Sequence, residues 1–256
     1  MAAGVLAALI GCSAWGAEPR PLNDVLFDAT RYADSPARRV EREAARAELK
    51  QRMPDAFRTA MTYINGDRVM VQVLAMEWVL ELPDEELAPV LLEYLDHDDP
   101  ATRRIAVYFL GFLDTPQHAE RVMPHLDHET TRGAALRTLG KWKHQPARAA
   151  AETALREGHE RLRVVAANTL RDLGDPAAAE ALMAALDDRY FTVRHAAARA
   201  LVVLGEPVGP AVERAAAEAA SARVREMSRR VLEQIKGEAP SFMLDDRAVI
   251  VDGAWF

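Results

Sequence analysis

The chain has 256 residues, half of them hydrophobic and 6% aromatic, and a formal net charge of −7. That length can bury a large core in one or two domains, and that hydrophobic share excludes a wholly disordered chain. The negative balance excludes a whole-molecule basic field of the kind that draws nucleic acid, and a single cysteine, Cys12, excludes an internal disulfide.

Residues 1–17 read MAAGVLAALIGCSAWGA and are followed by the polar run Glu18-Pro19-Arg20-Pro21. The apolar stretch 2–10 has the length of an export signal. Leu9-Ile10-Gly11-Cys12 resembles the lipobox of bacterial lipoproteins, which implies lipidation of Cys12 and membrane attachment through it. Ala14-Trp15-Gly16 offers instead a small-x-small site for ordinary cleavage after Gly16. No Lys or Arg precedes the apolar stretch, so the usual basic opening is missing, and a buried N-terminal helix in a cytoplasmic protein is the alternative. The expectation is an exported protein, periplasmic or lipid-anchored. No run of about 18 apolar residues suggests a spanning helix.

Residues 18–35 read as a linker leading into a short helix. Residues 36–53 read as a first, degenerate helix with Ala45 and Leu49 on its apolar face and Arg38, Arg39, Glu41, Arg42 and Glu43 around them. That charge suits a terminal cap with one face in water. From there a phase recurs about every 31 residues: Gln72, Arg103, Arg132, Arg163, Arg194 and Arg225 are spaced 31, 29, 31, 31 and 31. Three residues after each stands a small residue (Ala75, Ala106, Ala135, Ala166, Ala197, Ser228). Seven after stands an aliphatic (Val79, Leu110, Leu139, Leu170, Leu201, Leu232) and ten after a large apolar residue, among them Leu113, Trp142 and Leu173. A period of this size means one supersecondary unit copied and stacked.

Proline marks the other half of each copy. Pro54, Pro83, Pro116, Pro146, Pro176 and Pro207 recur in the same phase, and Pro suits the first turn of a helix. Thr115 and Asp175 stand where a capping side chain belongs, and Gly174 and Gly205 where a helix stops. Each copy therefore predicts two helices, one from the Pro over about eleven residues, as in 176–186, and one carrying the Arg phase. Abundant Ala with helical spacing predicts an all-α chain. The organisation is a signal-type segment 1–17, a linker 18–35, a solenoid of about seven hairpins over 36–237 and a tail 238–256. Within that tail Ala248-Val249-Ile250-Val251 is the one β-like run.

The segment 186–201, LDDRYFTVRHAAARAL, resembles a HEAT repeat, as do Leu162-Arg163-Val164-Val165-Ala166-Ala167 and Leu170-Arg171-Asp172-Leu173-Gly174-Asp175-Pro176. It is close to the short HEAT-like subtype first noted in phycobilisome lyases. The resemblance covers about residues 36–236 and implies an α-solenoid; it says little about function, because one fold hosts many. It also implies a structural role for the Arg column. In such repeats an acidic residue ahead of the second helix pairs with the Arg of its own or a neighbouring repeat. Asp98, Asp127, Glu157 and Asp188 stand five or six residues before Arg103, Arg132, Arg163 and Arg194. Gln72 and Arg225 lack such a partner.

In HEAT proteins the second helices line a concave face. Five residues after each anchor come Glu77, Tyr108, Arg137, Asn168, Arg199 and Arg230; one residue after come Val73, Arg104, Gly133, Val164, His195 and Glu226. Positions four apart share a helix face, so Arg104 pairs with Tyr108, and His195 with Arg199. Arg104, Tyr108, Arg137, Asn168, His195, Arg199 and Arg230 are the expected partner-binding residues, since Tyr and Arg dominate binding hot spots. A DNA-binding reading has too few aromatics and the wrong total charge, so no nucleic-acid partner is expected. His97, His128 and His159 recur in the turns with His118, His125 and several carboxylates nearby, and His125-x-x-His128 could put two imidazoles on one metal, but turns one helix apart do not easily place all three on it. No phosphate loop, nucleophile elbow, Cys–His pair or zincin motif occurs. The expectation is a non-catalytic scaffold binding a protein partner without a cofactor. A bilin-lyase-like or metal-dependent enzyme, or a nucleic-acid-binding HEAT protein, is the alternative.

Overall fold

The computed structural model describes residues 19–238; the signal-type segment 1–17 and the tail beyond Glu238 lie outside the described residues. Among the described residues the secondary structure is entirely helical. The α-helices are α1 Leu22–Thr30, α2 Pro36–Gln51, α3 Asp55–Thr62, α4 Val69–Glu81, α5 Asp84–Glu93, α6 Pro100–Leu110 and α7 Ala119–Val122. They continue as α8 Glu129–Lys141, α9 Arg148–Glu157, α10 Glu160–Leu173, α11 Ala179–Ala185, α12 Phe191–Leu204, α13 Gly209–Glu218 and α14 Ala222–Ile235. In chain order these make successive hairpins, the fold of an all-α solenoid. Two compact units divide between Phe109 and Leu110.

The first unit begins earlier than the sequence suggests. Residues 18–35, expected as a linker, contain α1, which packs along α2 and against α3 and α4. Val25, Leu26 and Ala29 of α1 are wholly buried. So α2 is the second helix of a complete first hairpin rather than a lone degenerate helix. Ser35 caps α2 by accepting from the Arg38 amide, with Pro36 in the first turn. The 31-residue period becomes contact between neighbouring copies: Arg46 Nη1 lies 3.1 Å from Glu77 Oε2, and Lys50 Nζ 2.9 Å from Glu81 Oε2. On the first-helix side Arg58 grips Glu93 with Nε and Nη2, at 3.0 and 2.8 Å. That guanidinium holds the Glu93 carboxyl below its ordinary value. Asp99 accepts from the Thr102 hydroxyl and amide, and from Ala101 and Asn65, which lowers its pKa.

In the second unit the second helices pack on one another in order, α8 on α10 on α12 on α14, while α9, α11 and α13 form the other layer. The small column makes this possible. Ala135, Ala166, Ala197 and Ser228 are wholly buried, and Leu139, Leu170 and Leu201 fill the next turn. Two glycines bring backbone closer still. A Cβ on Gly111 would stand 3.2 Å from the Thr138 Cα, and one on Gly140 would stand 3.2 Å from the Thr169 Cα. Copies are also tied through side chain to backbone: Trp142 Nε1 donates to the Leu113 carbonyl at 2.8 Å and Gln145 Nε2 to the Leu173 carbonyl at 2.9 Å.

The first helices differ from the simple expectation of one eleven-residue helix. In the second unit each of these prolines lies in a short 3-10 turn, as at Pro116–His118 and Pro176–Ala178, before the α-helix proper, whereas Pro54 and Pro83 directly precede α3 and α5. Asp175 caps its turn, accepting from the Ala177 amide at 2.9 Å. Thr115 does not: its buried hydroxyl finds no partner among the described residues, and no side-chain cap forms there. Gly174 ends α10 at φ 71°, a left-handed conformation that a side chain would strain.

Candidate functional site

The anchor column is a turn-closing device, and its chemistry differs from the expected carboxylate ladder. Arg103 Nη1 donates to the backbone carbonyls of His97 and Asp98, at 2.6 and 2.9 Å. Arg194 does the same to Asp188 and Arg189, and Arg225 to Ala219 and Ala220. Arg132 Nε donates to the Leu126 carbonyl, and Arg163 Nη1 to that of Gly158. Gln72, without a charge, reaches the Ile64 carbonyl at 2.8 Å. The acceptors are the orphan carbonyls at the end of each first helix and in the turn after it. Asp98 thus contributes its backbone, and Asp127 and Glu157 are not the acceptors of these bonds. Arg225 and Gln72, which lack an acidic partner in the sequence, fit the column on the same terms as the rest.

One carboxylate does take part, from the neighbouring copy. Arg163 Nε lies 2.9 Å from Asp188 Oδ2, with both side chains 13% exposed. Asp188 also accepts from the Tyr190 amide at 2.8 Å, so it fixes the start of α12 while pairing with α10. Tyr190 in turn lies beneath two guanidinium groups, those of Arg163 and Arg189.

Two of the turn histidines are local acceptors. His97 Nδ1 accepts from the Asp99 amide at 3.1 Å, and His159 Nδ1 caps α10 by accepting from the Leu162 amide at 3.4 Å. Among the described residues no three His, Cys, Asp or Glu side chains converge as metal donors.

The expected binding residues divide between the units. In the first unit α6 carries Arg104 and Tyr108, both half-buried. The Arg104 Nε is shut away from solvent with no hydrogen-bond partner among the described residues. In the second unit α8, α10, α12 and α14 carry Arg137, Asn168, Arg199 and Arg230 in register. Arg137, Asn168 and Arg199 are half-buried, while Arg230 is exposed and pairs with Glu226 on its own helix at 2.9 Å. Asn168 Oδ1 accepts from Arg171, which also pairs with Asp172. His195, expected on the outer face, is instead 7% exposed. The Phe191 ring one turn before it stacks over the imidazole at 5.6 Å and takes the outer position.

Two features of these faces escaped the column reading. Lys141, one turn after Arg137, holds its ammonium 4.0 Å above the Phe112 ring. The residue is exposed as a whole, yet its surroundings are close enough to desolvate the ammonium; that burial and the Arg137 charge lower its pKa, against the attraction of Asp172. A position nine residues after each anchor, linking Phe112, Lys141 and Asp172, was the available signal. The other feature is α4, whose sequence VMVQVLAMEWVLE is apolar around its whole circumference, so that some of it must face outward.

Several known proteins are similar to this chain. The family of HEAT repeats matches residues 124–202, which lie within the second unit. No curated protein matches the chain. Among solved structures, the complex of CpcE and CpcF of phycocyanin lyase from Nostoc sp. PCC7120 is similar at 17% identity and TM-score 0.45, over 90% of this chain and 100% of that one. Human deoxyhypusine hydroxylase in complex with glycerol is similar at 17% identity and TM-score 0.34, over 93% and 99%. An engineered protein is similar at 16% identity and TM-score 0.32, over 84% and 98%.

Proposed function

We propose that the chain is a non-catalytic scaffold that captures an acidic segment of a protein partner along the second-helix face of its second unit. The observation that carries this reading is the Arg137–Lys141 pair. Two cations stand one helical turn apart, and the ammonium lies against an aromatic ring where water is scarce. Desolvation and the Arg137 charge both disfavour the Lys141 ammonium, and Asp172 offsets them only in part. A partner carboxylate laid beside the two cations adds to that offset. Asn168 and Arg199 extend the same column over the next two helices. Stacked repeats present such side chains at regular intervals, which suits an extended partner segment.

Capture by immobilised full-length chain from an extract of its native host tests this. Arg137→Glu with Arg199→Glu should weaken retention of the captured protein by about tenfold or more, because charge reversal sets like against like at an interface. Helicity and melting temperature should stay at wild-type values. Retention by the double variant equal to wild type would reject the assignment.

A further inference from the structure

The sequence holds three asparagines, Asn23, Asn65 and Asn168. Asn23 and Asn168 lie inside α1 and α10, where helical φ and ψ hold the following amide nitrogen away from the carboxamide carbon. Asn65 alone is followed by glycine, and both Asn65 and Gly66 are exposed in the turn between α3 and α4. With glycine next in the chain, no side chain obstructs the approach of that nitrogen, and the backbone can rotate into it. A Cβ on Gly66 would meet only the Tyr63 carbonyl oxygen, at 3.5 Å, so the turn is open there.

Two hydrogen bonds hold this dipeptide in place. The Gly66 amide donates to the Tyr63 carbonyl at 3.1 Å. Asn65 Nδ2 donates to Asp99 Oδ2 at 2.8 Å, in the turn of the next copy, 34 residues on. The same Oδ2 accepts from the Thr102 amide at 3.0 Å and from its hydroxyl at 2.6 Å, and so caps α6. The Asp99 carboxylate thus draws on Asn65 as a donor, at a position where the carboxamide is chemically labile.

We infer that Asn65 is a site of spontaneous deamidation whose rate is set by its bond to Asp99, and that the reaction undoes the join between the two turns. When the bond opens, the Gly66 nitrogen gives its proton to solvent base and attacks the Asn65 Cγ. The N–Cγ bond forms and the Cγ–Nδ2 bond breaks. Nδ2 leaves as ammonia, carrying a proton returned by the base. The five-membered imide then takes up one water at either carbonyl and opens to aspartate, or to the isomer linked through the side chain. Nothing is oxidised or reduced. The product sets a carboxylate where Asp99 had a donor, and like charges that close repel. The start of α6 then loses its fixed cap. This inference is independent of the partner-binding reading.

Incubation of the full-length chain for days in mildly alkaline buffer tests it, with mass analysis of the tryptic peptide 59–68 against a zero-time sample. The acid form should accumulate at Asn65 and not at Asn23 or Asn168. Gly66→Ala, which the open turn accommodates, should slow it about tenfold, because a side chain hinders the attack. The free peptide 59–68 gives the rate without Asp99, and the wild-type chain should be about threefold or more slower than that peptide. Asp99→Ser should move to the peptide's rate, since serine still caps α6 but its side chain is one atom shorter. The comparison of wild type with the peptide needs no variant, so it decides alone where Asp99→Ser loses helicity. Asn65→Asp should speed amide exchange over residues 100–103 with helicity unchanged. No acid form at Asn65, a wild-type rate equal to the peptide's, a folded Asp99→Ser chain or a Gly66→Ala chain that ages like wild type, or unchanged exchange in Asn65→Asp would overturn the inference.

Discussion

A guanidinium at a turn can satisfy a carboxylate or backbone carbonyls, and the two arrangements respond differently to substitution. Arg103, Arg194 and Arg225 each place Nη1 between the carbonyls five and six residues earlier, whatever the side chains there. Hydrogen bonds to a charged donor contribute about 1.5–3 kcal/mol each. Asp98→Asn and Asp127→Asn should therefore change stability by less than about 0.5 kcal/mol in urea unfolding, as surface substitutions do. Asp188→Asn should cost about 1–3 kcal/mol, because it strips the charge from a largely buried pair with Arg163. Equal costs at all three positions would reinstate a carboxylate ladder. The Arg column was legible in the sequence as a recurring residue, but its acceptors were not. A carbonyl belongs to every residue and leaves no letter behind. The acidic residues at the right spacing were a coincidence of polar turns at Asp98, Asp127 and Glu157, and a working partner at Asp188.

Between elements, the distance of approach is set where side chains are absent. Gly140 on α8 sits so close to α10 that a Cβ would meet the Thr169 Cα and Cγ2 at 3.2 Å, and backbone cannot rotate away. Gly133, two turns earlier on the same helix, would place its Cβ 3.9 Å from the flexible end of Leu162, an ordinary contact. Alanine favours helix over glycine by about 0.5–1 kcal/mol at either place. At Gly133 that gain should appear as a small rise in melting temperature. At Gly140 overpacking of about 1–3 kcal/mol outweighs it, so Gly140→Ala should melt lower. A rise at both would mean that the α8–α10 distance is not fixed by Gly140. The hairpins themselves were readable from Pro and Arg phase, because each copy restates the same packing problem. α1 was missed since it precedes the first Pro of the series, although Val25, Leu26 and Ala29 already show helical spacing. The exposed apolar side of α4 was hidden for the opposite reason. When every side of a helix is apolar, periodicity cannot say which side faces the core.

Over a whole unit, stacking makes stability a sum of each hairpin's own contribution and its contacts with neighbours, so position in the stack decides how easily a helix opens. In the second unit α10 is flanked by α8 and α12, and it buries Ala166, Ala167, Thr169, Leu170 and Leu173. α12 is flanked by α10 and α14 and buries most of its length, from Val193 to Leu204. α14 meets α12 and α13 and buries only Ser228 and Val231. The same holds for its partner α13, where Val212 alone is buried. Local opening of α13 and α14 therefore exposes little apolar surface, at about 25 cal/mol per Å², whereas opening α10 breaks two interfaces at once. Amide hydrogen exchange on the native full-length chain should show slowest exchange in α10 and α12 and clearly faster exchange in α13 and α14. Uniform protection from α8 to α14 would mean that the unit opens as one block, so that neighbour contacts between hairpins dominate over what each hairpin buries alone. In that case an acidic partner bound at Arg137 would stiffen α14 as strongly as α8. Under the graded scheme its stiffening should fade beyond α12.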